Sequence, residues 1–218
     1  MAKSDKLDNP LMRFMDSVSD MIFLSIFWVI GCIPVLTAGA STTALYYAAM
    51  KTLRGEGSAA RNFFKAYREN LKQGVLAELA ILALAVLLYG VMRAAAGMSG
   101  VLAAILHILA AALLLFCVIV TGYLFPLLAR FDQPTPALFQ NALLISLSNF
   151  PYTVAITILN LFPLIVYVIW PTGFMQLLLL TLFMAPGLIA RINSTLLIRV
   201  FAKYESQTTK DSTENMDE

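Results

Sequence analysis

The chain alternates long apolar stretches with short polar ones, and the apolar stretches are helix-length rather than strand-length. Six stand out, at about residues 18–36, 40–53, 74–92, 101–128, 152–170 and 174–200. Each is read as a membrane span, because about 20 apolar residues in an α-helix cover the roughly 30 Å hydrocarbon layer. The stretch 40–53 is short, and fourteen residues rise only about 21 Å. It either crosses sheltered by neighbours and a thinned bilayer, or lies at the surface and leaves five spans. Pro34 removes a backbone donor and Gly39 tolerates a tight turn, so the two separate this stretch from the first span.

Residues 58–72 carry a different pattern. Phe63, Phe64, Tyr67 and Leu71 form one apolar edge at helical spacing, bordered by Arg61, Lys65, Arg68 and Lys72. The expectation is an amphipathic helix at the inner headgroup layer, rings inserted and cations facing anionic lipid. The alternative is a solvated charge run. Nucleic-acid binding fits poorly, because the membrane needs the Phe pair. Residues 137–150 read as a second, less charged inner-surface helix. Asn9-Pro10 starts a helix whose greasy positions Leu11, Met12, Phe14, Met15 and Val18 suggest an interfacial lead-in. The polar stretch 205–218 is expected to be disordered.

Composition excludes a soluble globule: 60% of residues are hydrophobic and 13% charged, against about 25% charged in soluble domains. The mean hydropathy of +0.79 agrees. The predicted fold class is an all-α polytopic membrane helix bundle with two amphipathic inner-surface helices. A cleavable signal peptide is the rival reading of the first span, since Ala38-Gly39-Ala40 resembles a cleavage site. The Asp-bearing lead-in and the membrane-embedded remainder favour a retained helix.

Charge distribution orients the bundle. Lys51, Arg54, Arg61, Lys65, Arg68 and Lys72 fall in one short connector, and Lys3, Lys6 and Arg13 precede the first span. Placing both groups in the cytosol requires an even number of crossings between them. Arg199 and Lys203 put the other end inside too, so a multi-pass protein of the cell membrane with both termini cytosolic is expected.

Ionisable and amide groups within spans are the candidate sites. Glu78 and Arg191 stand at similar depth, where they can form a structural ion pair, a ligand or proton site, or snorkel to the interface. His107 shares a face with Ala103, Ala110 and Ala111, where another helix can approach and accept its hydrogen bond. Asn160, and Asn193 with Ser194 and Thr195 beyond a break at Pro186-Gly187, are interhelical bonding candidates. Cys32 and Cys117 lie apart in apolar runs and read as packing residues. With one His, no clustered ligands, no nucleophile elbow and no phosphate loop, neither metal, cofactor nor enzyme activity is expected. An offset of 152 aligns Pro34 with Pro186 and Lys51 with Lys203. That is either an internal repeat of the kind transporters use or chance similarity of greasy segments.

Four blocks carry a family likeness: IPVLTAGASTTALYYAAMKTLRGEG (33–57), FFKAYRENLKQ (63–73), FPLLARFD (125–132) and LFQNALLISLSNFP (138–151). Together they resemble the YesL family, bacterial membrane proteins of unknown function whose genes commonly neighbour carbohydrate-uptake transporters and glycan-degrading enzymes. The resemblance implies a non-enzymatic accessory or regulatory role near sugar import, with a carbohydrate ABC transporter or its regulators as partner besides the lipid bilayer. It transfers no catalytic or binding residue. The competing expectation is a small transporter or channel using Glu78 and Arg191. The oligomeric state is not legible.

Overall fold

The computed structural model describes residues 10–214, and among these the secondary structure is helical throughout. In chain order the helices are α1 (Pro10–Cys32), α2 (Ala38–Leu53), α3 (Ala59–Glu69), α4 (Leu71–Ala95), α5 (Val101–Arg130), α6 (Thr135–Ser148), α7 (Phe150–Ile169), α8 (Pro171–Gln176) and α9 (Leu178–Glu214). Five of them, α1, α4, α5, α7 and α9, are long and apolar enough to cross a membrane. An all-α bundle with apolar spans is therefore the architecture. Residues 1–9 and 215–218, which hold the basic N-terminus and the end of the tail, lie outside the described residues.

The short helix α2 is the hub. Ten of its 16 residues are buried, and α1, α3, α4, α5 and α9 all pack on it. Its sequence explains this: Gly39, Ala40, Ser41, Ala44, Ala48 and Ala49 present almost no side chain, so backbones approach from several sides. Gly39 and Ala40 meet Gly74 of α4, where a Cβ on Gly74 would stand 2.7 Å from the Ala40 Cα. At about 24 Å, α2 is shorter than the hydrocarbon layer. Its environment is protein, with helices packed on it from several sides.

The chain reaches α2 through a capped break. Pro34 is extended, and the Thr37 hydroxyl bonds the carbonyls of Gly31 (2.7 Å) and Pro34 (2.9 Å), satisfying the end of α1. The Trp28 indole donates to Thr42 at 3.0 Å and the Ser41 hydroxyl to the Trp28 carbonyl at 3.0 Å, locking α2 against α1. At its far end α2 closes on Gly55 and Gly57, whose φ of 71° and 74° only glycine adopts cheaply. This sends α3 back along α2.

Contacts set the directions. α1 runs antiparallel to α9, with Ser17 meeting Arg191 and Ser25 meeting Gly187. α4 starts where α5 ends, Gln73 bonding the Gln133 carbonyl at 2.6 Å. Phe131, just past α5, packs edge-on against Phe201 of α9. The start of α1, the end of α2, the start of α4 and the end of α5 therefore share one end of the bundle. Short as it is, α2 carries the chain back to that end.

Several expectations change. The lead-in from Leu11 is continuous with the first span, since α1 runs unbroken from Pro10. Pro186-Gly187 does not break the last span, since α9 runs through it. Pro34, by contrast, terminates a helix. The two prolines matched at an offset of 152 are thus not equivalent. Residues 171–176 form a helical turn rather than a tight loop, and the backbone stays helical to Glu214 in the stretch expected to be disordered. Beyond Ala77, α4 and the facing part of α5 bury little except Leu88, Ala95, Ala103 and Ala110 against each other. Ile105, Ile108 and Leu109 face outward there, and lipid must solvate them.

Candidate functional site

The buried polar groups converge on α2, α7 and α9. The Asn193 amide donates to the Tyr46 hydroxyl at 3.0 Å and to the Asn160 carbonyl oxygen at 2.8 Å. Asn193 is fully buried, and its own Oδ1 has no partner, as is true of the buried Ser194 hydroxyl. Turning the amide over only exchanges which end is left unpartnered. Gly122 of α5 admits this cluster, for a Cβ there would stand 3.3 Å from the Asn160 amide nitrogen.

Beside the cluster lies a cavity of about 330 Å³, bounded by Trp28, Thr42, Tyr46, Asn160, Pro163 and Pro186 together with apolar side chains of α8 and α9. Pro163 and Pro186 lack the N–H that would bond the carbonyl four residues back, so Leu159 and Leu182 lose their helical donors here. No charged side chain lines the cavity, and its walls are overwhelmingly apolar. Such a space suits an apolar body with one neutral polar end. It offers no acid or base to act on one.

A second network ties the α6–α7 corner to its neighbours. The Tyr123 and Thr153 hydroxyls share a hydrogen bond of 2.8 Å, Thr153 in turn meets the Ser146 carbonyl at 2.6 Å, and Asn149 donates to the Tyr204 hydroxyl at 2.8 Å. It pins α5, α7 and α9 together, as interhelical bonds in a bilayer do.

Of the residues singled out from sequence, Asn160 and Asn193 meet, while Glu78 and Arg191 do not pair. The Arg191 guanidinium donates to Ser17 of α1 at 3.1 Å, with Asp20 in electrostatic reach. Glu78 instead packs its Cβ near Gly39 and makes no hydrogen bond or ion pair among the described residues. Equal depth put them together on paper, but they occupy different helix pairs. His107 does not bond across helices either; its Nδ1 lies 2.9 Å from the Ala103 carbonyl of its own helix. No group of three metal-ligating side chains occurs among the described residues.

On α3, Arg61, Phe64, Lys65 and Arg68 are exposed, as is Lys72 at the start of α4. Phe63 is not available to lipid. It is 2% exposed and packs on Phe27 of α1 with ring centroids 5.7 Å apart, and Tyr67 stacks on it at 6.1 Å. The edge is divided: Phe63 and Tyr67 turn to protein because α3 folds back along α2, while Phe64 and Leu71 stay exposed. Tyr46 was missed from sequence: nothing distinguishes it from Tyr47 except that Asn193 faces it.

Fold and burial together define an integral membrane protein of the helical-bundle class. Residues 21–91, from within α1 to near the end of α4, match the family model described as a protein of unknown function, DUF624. Comparison with curated proteins finds no match, and neither does comparison with solved structures.

Proposed function

We propose that this chain is a non-enzymatic membrane component of the YesL type, serving carbohydrate uptake in an accessory or regulatory role, with both termini in the cytosol. One observation carries the preference for an accessory over a carrier: the interior cavity is apolar and uncharged, and the two intramembrane charges expected to form a solute path stand apart. The YesL resemblance supplies the link to sugar import, and the match over 21–91 is compatible with it. The exposed cations Arg61, Lys65, Arg68 and Lys72 offer a contact surface toward anionic lipid or a transporter's cytosolic regulators. Deleting the gene should change uptake of a labelled sugar or its regulation, and crosslinking in native membranes should capture a carbohydrate ABC transporter. Unchanged uptake together with no such capture would refute the role.

The unpartnered Asn193 oxygen and the proline-freed carbonyls beside the cavity favour, as a second reading, a small transporter or channel. Purified protein in liposomes would then move solute. Flux unaltered by Glu78→Gln and Arg191→Gln would remove those residues from the path.

A further inference from the structure

The cavity beside the asparagine cluster is half open, and it opens within a span. Leu178 on its wall is 37% exposed at the start of α9, where the helix is apolar and membrane-length. Whatever enters from that side comes out of lipid. Water is a poor occupant, because a buried water needs about three polar partners, and dry apolar cavities of about 150 Å³ already hold benzene. At about 330 Å³ this one has room for a chain segment.

The few polar groups on the wall are neutral, and two of them share a deficit. Thr42 Oγ1 accepts from the Trp28 indole, and the Tyr46 hydroxyl accepts from Asn193. Neither hydroxyl has an acceptor for its own hydrogen among the described residues. On the acceptor side stands the Leu182 carbonyl, whose helical donor Pro186 removes. Charge stays away. Arg191 follows Ala190 of the wall, yet its guanidinium reaches Ser17 of α1. Lys51 and Arg54 stand at the other end of α2. Hydroxyls with a hydrogen to give, beside a carbonyl free to accept, match an alcohol, which donates and accepts through one oxygen. A carboxylate or phosphate would leave water for an apolar wall with no cation, at a large desolvation cost.

We infer that this cavity binds a single apolar chain ending in a neutral hydroxyl, drawn from the bilayer. The chain fills the apolar part, and the hydroxyl meets Thr42, Tyr46 and the Leu182 carbonyl. This deepens the reading of the cavity as a place for an apolar body with a polar end. It does not depend on the link to sugar uptake, and the binding test below does not measure uptake.

Trp28 on the wall is the reporter, and Trp170→Phe leaves it the one tryptophan of the chain. The full chain in detergent would be titrated with an undecanol brominated along its chain, since bromine quenches indole fluorescence on contact. The matching bromo-alkane and bromo-carboxylate are the comparisons. Quenching should saturate with the alcohol and be several-fold weaker with the other two. The same order is expected in the unsubstituted chain, should Trp170→Phe compromise folding. Tyr46→Phe should weaken the alcohol about two- to tenfold, as loss of one hydrogen bond does, and leave the alkane unchanged. Thr42→Ala should act in the same direction. Ala185→Leu or Thr181→Leu, which fill the cavity from α9, should abolish saturation. Quenching that rises linearly, as from a probe merely dissolved in the micelle, would overturn the proposal. So would an alkane or carboxylate that binds as tightly as the alcohol, or saturation that survives both filling changes.

Discussion

The crossing of α1 and α9 depends on one glycine. The Gly187 N–H donates to the Ser25 hydroxyl at 2.8 Å, and the Ser25 hydroxyl donates to the Met21 carbonyl at 2.8 Å. A Cβ on Gly187 would collide with the Met21 carbonyl and stand 2.8 Å from Ser25 Oγ. The obstacle is backbone, so the two helices must part, and the Ser25 bond lengthens as they do. Overpacking of this kind costs about 1–3 kcal/mol, and the bond adds about 0.6 kcal/mol for an interhelical pair in a membrane. Better helix propensity returns at most about 1 kcal/mol. Gly187→Ala should therefore destabilise by about 1–2 kcal/mol, several-fold to about thirtyfold in the folded-to-unfolded ratio. Gly90 is the control: it sits inside α4 with nothing within 4 Å of its would-be Cβ. Gly90→Ala should be neutral or stabilising by a few tenths to about 1 kcal/mol. Unfolding in mixed micelles with increasing dodecyl sulfate reads both. Identical behaviour of the two variants, or a Gly187→Ala protein as stable as wild type, would refute the close approach.

Phe63→Ala should cost about 3–5 kcal/mol, because its ring is fully buried between α3 and α1; Phe64→Ala should cost less in the same assay, because its ring also meets Phe27 but is half exposed. A double-mutant cycle on Asn160 and Asn193 should give a coupling of about 0.6–1.7 kcal/mol, and additivity would deny their bond. At the α2–α3 turn, the Lys51 ammonium holds the Glu56 carboxyl below its ordinary 4.5. Its contribution is therefore present above that pH and fades as pH falls through the lowered value. The small stability difference between wild type and Glu56→Gln should be measurable at pH 7 and shrink progressively as the pH is lowered below 4.5.

The membrane class was legible because apolar length is a one-dimensional property. Counting residues is enough to find α1, α4, α5, α7 and α9. The central place of α2 was half legible: Gly39, Ala40, Ala44 and Ala48 announce close packing, but a run of small residues does not say whether lipid or helix covers it. The amphipathic edge of α3 was read correctly as apolar, but Phe63 within it belongs to protein. Periodicity identifies a face and is silent on what meets it, and here Phe27 meets Phe63. The ion pair of Glu78 with Arg191 failed for a related reason, since depth along a span fixes one coordinate and the angle around the bundle is set by packing. A second cavity, lined by Lys51, Arg54 and Arg130, joins residues more than seventy positions apart, which no local pattern reveals.

The stretch that matches the DUF624 model is not a unit that closes on itself. α1 and α2 complete their burial with groups from beyond it: Asn193 on Tyr46 and Phe125 on Gly39 of α2, and the α9 backbone at Gly187 on Met21 of α1. A fragment ending in the Gly97–Gly100 turn would expose these faces of α1 and α2 to lipid, with the Tyr46 hydroxyl and the Ser25 network left unmatched. The helices on either side of that turn still hold each other, since α5 packs along α4 and onto α2. Expressed alone, residues 1–97 should therefore be degraded or aggregate. Co-expressed with residues 98–218, they should assemble into a complex that co-purifies and keeps most of the intact chain's stability. Recovery of the first fragment by itself as a monodisperse helical species as stable as the full chain would show that α5 and α9 are attachments, and that the hub is α2 with its sequence neighbours alone.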